Sequence, residues 1–253
     1  AAEKGADGNG DDAAAAAAAA APTIQIRQSQ LINTADTNLV SSGPGDVMKC
    51  LKEQVELAKT WLEGDALRVA TLNCVNCVII FCDKQLDTIA EVLEVSSEDL
   101  TICCVCINSM SYLSELLMEE CDTLCSGMGG EVRMFLANQV EVQSRLCMDA
   151  AVSVVEMLVP VAVDETLGAT YDTLFDQKWV SNDDFAIRTI VATLNDFVSE
   201  LHRSLLPYFY QKCVLAIVER AVVLYIELLM NTGPTIHETA DKEAFAVALK
   251  RVG

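Results

Sequence analysis

Leu100-Thr101-Ile102-Cys103-Cys104-Val105-Cys106-Ile107-Asn108-Ser109-Met110-Ser111-Tyr112-Leu113-Ser114-Glu115-Leu116-Leu117 decides the fold class. Its apolar stripe, Ile102, Val105, Cys106, Ser109, Leu113, Leu116 and Leu117, keeps the spacing of three and four that puts residues on one helical face. Ser96-Ser97-Glu98-Asp99 precedes it as a turn with capping residues. The helix is expected to run to about Cys125, where Gly127-Met128-Gly129-Gly130 closes it and permits a reversal.

Similar patterns extend both ways. Upstream, a helix is expected from an Asp46 cap to Glu63; Gly64 breaks it, and another runs from Asp65 to about Val95. The second carries Leu67, Ala70, Cys74, Cys77, Val78, Phe81, Ile89 and Leu93 on one face. Downstream, Phe135 to Val161 marks a fourth helix, followed by broken structure from Asp164 to Val180. A fifth is expected from the Ser181-Asn182-Asp183 cap to Ser204, and a sixth from Pro207 to Met230. Asn231-Thr232-Gly233-Pro234 stops it, and Ile236–Arg251 shows helical spacing again.

Helices of about 30 residues span about 45 Å each. With no competing strand pattern, the expectation is all-α: elongated antiparallel bundles forming a rod. Residues 1–45 read as a disordered low-complexity tail of Gly/Asp/Asn and polyalanine, 46–180 as one helical bundle and 181–253 as a C-terminal one. The chain opens on Ala1 with no signal peptide, as expected of a fragment or an incomplete gene product.

Composition excludes several functions. Acidic residues outnumber basic ones 37 to 17 among 253, a net charge of −20. That disfavours nucleic acid, whose binding relies on Lys and Arg displacing counterions. It also disfavours anionic lipid, where each basic residue near the surface contributes ~1 kcal/mol. The most apolar runs, Ala151–Val163 and Leu205–Met230, are interrupted by charge or proline, so neither is expected to insert in a membrane.

Catalytic candidates are few. His202 and His237 are the sole histidines, both in polar surroundings near helix ends or loops. Asp176 and the pair Asp183-Asp184 sit where carboxylates complement a helix dipole. Of eleven cysteines, most lie among Val, Ile and Leu and read as reduced core residues. Cys74-x-x-Cys77 could supply half of a zinc site with Cys103, Cys104 and Cys106, but those last three diverge around a helix and lack a glycine knuckle. No glycine-rich phosphate loop or nucleophile elbow occurs. The expectation is a protein that is not an enzyme and takes no cofactor or metal.

Charge placement is the remaining signal. No Lys or Arg occurs between Lys84 and Arg133, while ten Asp or Glu do. Glu115, Glu119 and Glu120 are the candidate contacts for a basic partner surface.

Leu174-Phe175-x-x-x-Trp179, followed by Ile190-Val191-Ala192-Thr193-Leu194-Asn195-Asp196-Phe197, resembles the exocyst complex component 3 ("sec-six") family. Pro207-Tyr208 and Ala221-Val222-Val223-Leu224-Tyr225-Ile226 extend the likeness, with Ala70–Phe81 and Ile107–Ser111 upstream. Asn195 and Phe197 stand where the family has an acid and a tyrosine, and cysteine is richer than expected. The resemblance covers about residues 46–253 and implies a cytoplasmic subunit that tethers secretory vesicles at the plasma membrane before SNARE-mediated fusion. It implies other exocyst subunits and SNARE proteins as partners, and no catalytic residues. The matching residues Trp179, Thr193, Asp196, Val223 and Tyr225 are expected to be packing anchors. Another all-α scaffold or adaptor, or a thiol- or metal-binding helical protein, are the alternatives.

Overall fold

The computed structural model describes residues 31–33, 39–93, 97–175 and 185–232. Within them the protein is all-α apart from one short hairpin. Strands β1 (Leu31–Asn33) and β2 (Leu39–Ser41) pair antiparallel, Leu31 opposite Ser41 and Ile32 opposite Val40. The helices are α1 (Gly43–Trp61), α2 (Gly64–Val92), α3 (Ser97–Glu119), α4 (Cys121–Leu124), α5 (Gly130–Pro160), α6 (Thr166–Asp172), α7 (Phe185–Ser204) and α8 (Pro207–Thr232).

The hairpin corrects the expectation of a disordered tail as far as residue 45. Strands of three residues are too short to show alternation in the sequence. They are held all the same: Val40 is buried, and the Ser41 N–H donates to Ser109 Oγ at 2.9 Å. Helix α1 accordingly begins at Gly43, ahead of the expected Asp46. Gly64 between α1 and α2, and Gly127 between α4 and α5, take φ of +55° and +71°, a region L side chains rarely adopt.

Helix α3 is the centre of the bundle. Every residue from Cys103 to Ser111 is buried, so it is enclosed on all sides instead of offering the single stripe expected of it. Its polar residues find partners inside. Ser114 Oγ and Ser144 Oγ lie 2.7 Å apart across the α3–α5 interface, and such small side chains let the two helices approach closely.

Helix α5 runs through Pro160, and the chain then stays helical to Asp172, where broken structure was expected from Asp164. Proline has no N–H to give the ladder, and the chain responds with a π-helical turn at Val161–Glu165 that leads into α6. Thr166 Oγ1 donates to the Val161 carbonyl at 3.0 Å across that turn. Arg220 Nε of α8 binds both oxygens of Asp164, at 2.9 and 3.1 Å, fixing the bend to the next layer. Both side chains are about one-third exposed, so Asp164→Asn should lower stability by at most ~1 kcal/mol in denaturant melts.

One core runs from Met48 in α1 to Ala221 in α8, including Leu201, Leu205, Phe209, Cys213 and Ile217. Those five residues lie beyond the expected boundary at 180/181, yet they pack in the same cluster as α1–α5. A smaller cluster of Leu167, Tyr171, Leu174, Ala186 and Ile190 joins α6 to α7. Tyr171 donates its hydroxyl to the Ala221 carbonyl at 3.1 Å, burying a polar link between α6 and α8. Tyr171→Phe should therefore cost ~1–2 kcal/mol, measured as a shift in denaturation midpoint.

Three segments, Gly64–Glu91, Leu100–Glu119 and Gly130–Asp172, are long and apolar enough to cross a membrane by length and composition. This corrects the expectation that none qualifies, which rests on unbroken apolar runs; each segment holds an 18-residue stretch with at most two charged residues. The bundle buries 72% of the Leu100–Glu119 stretch and 56% of the Gly130–Asp172 stretch, but only 28% of the Gly64–Glu91 stretch.

Candidate interaction surface

Five of the ten acidic residues, Glu115, Glu119, Glu120, Asp122 and Glu131, gather at the end of the bundle where α3 leads into α4 and α5; Asp87 and Glu91 lie at the opposite end of α3. Glu115 and Glu119 are exposed there, and Asp122 beside them is exposed too. Compensation exists that the sequence did not reveal. Lys52 of α1 pairs with Glu120 at 2.5 Å, and Arg133 of α5 reaches Asp122 at 3.1 Å. The Lys52 ammonium donates to Glu120 and holds that carboxyl below its ordinary range. Glu120 is thus tied into the bundle, while Glu115 and Glu119 remain available to a partner. Both sit in the last turns of α3, where the helix dipole disfavours negative charge. A basic partner would relieve that repulsion.

The second surface is apolar. Helix α8 exposes Leu215, Val218, Val222, Val223, Tyr225, Ile226, Leu229 and Met230, and α7 exposes Phe185, Ile187 and Val191. This corrects the packing roles assigned to the family-like residues. Val223 is 43% and Tyr225 39% exposed, Asp196 is exposed, and Thr193 is half-buried. Tyr225 keeps one ring contact, with Phe175 at 5.8 Å between centroids. The tyrosine that is buried is Tyr171 of α6, not the expected Tyr225. Trp179 lies outside the described residues, as do Asp176, Asp183, Asp184 and His237. His202 is exposed, its ring edge-on to Tyr210 at 4.9 Å.

The most demanding buried group is Asn108, which is fully enclosed. Its Nδ2 donates to the carbonyls of Leu39 at 3.1 Å and Ser204 at 2.7 Å, and its Oδ1 accepts from the Leu206 N–H at 3.2 Å. One side chain thus ties β2, α3 and the α7–α8 junction together. The sequence placed Asn108 in a family-like segment but gave no sign of these partners, which lie 69 to 98 residues away.

The cysteines do not converge on a metal centre. Among the described residues no group of three or more His, Cys, Asp or Glu could hold an ion. Cys74 and Cys77 lie on α2 beside Cys50 of α1, whereas Cys103, Cys104 and Cys106 are buried in α3. Burial raises the Cys106 and Cys213 thiols to about 12, and pushes Cys104 up as well. At neutral pH these are inert thiols. A disulfide reagent should label the exposed Cys50 and Cys77 first, and the buried thiols only on unfolding. Rapid native labelling of Cys104 or Cys213 would contradict this placement.

The family model of the exocyst complex component Sec6 matches residues 20–251. The chain belongs to that family. A crystal structure of the C-terminal domain of the exocyst subunit Sec6p shares its fold, with a TM-score of 0.64 at 11% identity. The match covers 78% of this chain and 54% of the solved one, so the chain spans about half of that domain. Among curated proteins none matches. Membership in the Sec6 family fits the site as built, with buried polar links inside and charged and apolar faces outside.

Proposed function

We propose that this chain is a helical scaffold of the exocyst that works by binding other exocyst subunits and SNARE proteins, helping to tether secretory vesicles at the plasma membrane before fusion. The family match over residues 20–251 carries this reading. Two features support it. The exposed apolar stripe of α8 is of the kind that marks a protein interface. The acidic α3–α4 end would steer a basic surface toward the bundle. With a net charge of −20, attachment to anionic membrane falls to partners, and nucleic acid is not a ligand. The residues contribute binding rather than catalysis.

Charge at the acidic end should act mainly on the association rate, because salt screens exposed charges over ~8 Å at physiological ionic strength. Mixing with each purified exocyst subunit, followed by stopped flow across a salt series, tests the proposal. One subunit should bind, with an on-rate that falls as salt rises and falls again in Glu115→Lys/Glu119→Lys. Glu120 is kept intact in that variant because reversing it would set two cations against each other at Lys52. Binding that ignores both salt and mutation would move the docking site away from this end. Failure of every subunit to bind would overturn the function itself.

A further inference from the structure

Helices α1 and α2 leave a groove of about 370 Å³ between them, lined by Val47, Leu51 and Val78, the thiols of Cys50, Cys74 and Cys77, and the side chains of Gln54 and Asn73. No charged residue lines it. Gln54 and Asn73 are exposed. The volume lies within the ~300–1,000 Å³ of ligand pockets, and well above the ~150 Å³ apolar cavity that holds a benzene ring. A groove this apolar excludes ionic ligands, and its three sulfurs make no metal site. It suits a hydrocarbon chain, and sulfur supplies the means of attaching one.

We propose that the α1–α2 groove is an S-acylation site, in which Cys50 takes a long-chain acyl group as a thioester and the groove shelters the chain. Of the three thiols Cys50 is the best placed. Cys77 donates its S–H to the Asn73 carbonyl at 3.4 Å, and Cys74 is half-buried, its thiol pushed up by burial and by the neighbouring sulfurs. Cys50 and Cys77 are both exposed, and Cys50, on the α1 wall, is the one whose thiol is not engaged with a backbone carbonyl of its own helix. The donor is a long-chain acyl thioester. Cys50 Sγ attacks its carbonyl carbon and forms a new C–S bond. The bond to the carrier sulfur breaks, and the proton lost by Cys50 passes to the carrier thiolate. No electron is transferred; a free thiol reverses the step by exchange, and hydroxylamine cleaves the thioester to a hydroxamate and the free Cys50 thiol.

The groove chemistry does not depend on which partners the bundle binds, so it can fail without touching the exocyst reading. The test incubates the full chain with palmitoyl-coenzyme A or acetyl-coenzyme A at neutral pH and maps hydroxylamine-labile mass gains. Palmitoyl transfer to Cys50 should exceed acetyl transfer by at least about tenfold, since sheltering even two methylenes is worth that much. Cys50→Ser should abolish the label. Asn73→Trp, at an exposed position on the groove's rim, should suppress palmitoylation while leaving acetyl transfer intact. Half-buried Cys121, outside the groove, is the internal control. Equal rates for the two donors, labelling of Cys121 as fast as Cys50, or no label at all would overturn the proposal. Should Asn73→Trp lose helicity by circular dichroism, the chain-length ratio still decides.

Discussion

Asn108→Leu is expected to destabilise the protein by ~3–5 kcal/mol, because three backbone groups lose their partner at once and each buried unsatisfied group costs ~1–3 kcal/mol. The three are the carbonyls of Leu39 and Ser204 and the N–H of Leu206. Asn108→Asp should be worse. Its carboxylate would face two carbonyl oxygens without a donor to offer them and would carry a charge into a fully enclosed site. Chemical denaturation reads both losses. Hydrogen exchange adds a second signature: the β2 strand and the α7–α8 junction should lose protection together, although they are far apart in sequence. A variant as stable as the parent would mean that water reaches Asn108 and replaces the lost bonds.

Phe209→Ala is expected to cost ~3–5 kcal/mol, in the range of large aromatic truncations in cores. Phe209 is 1% exposed at the start of α8 and belongs to the cluster that contains Met48, Val75 and Leu113. Because that core is shared, the loss should appear as a single transition reported equally by α1–α5 and by α7–α8. Two separated transitions, with only the C-terminal helices affected, would restore the division at 180/181.

How much was readable follows from the physics of each element. Long helices were legible, since α2, α5, α7 and α8 repeat their apolar spacing over many turns and Gly64, Gly127 and Pro207 punctuate them. The enclosure of α3 from Cys103 to Ser111 has a signal in the sequence: no charged residue occurs between Asp99 and Glu115, which a half-exposed helix would hardly tolerate. Continuation of the helix past Asp164 was hidden because the π-turn that carries it is tied to Arg220, 56 positions away. The candidate surface was half legible. Glu115 and Glu119 are exposed as expected, but the pairing of Glu120 with Lys52 spans 68 positions and no local pattern encodes it. Val223 and Tyr225 show the complementary limit. An aliphatic–aromatic motif looks the same in sequence whether it faces a core or a partner, and here it lies on the open side of α8.

Affinity purification of the tagged full chain from native lysate, with mass spectrometry of what is retained, tests the central claim most directly. The account predicts recovery of the other exocyst subunits, reduced in parallel when Glu115 and Glu119 are reversed or when Val222 and Ile226 on α8 are changed to Glu. A folded chain that retains no exocyst subunit would contradict it.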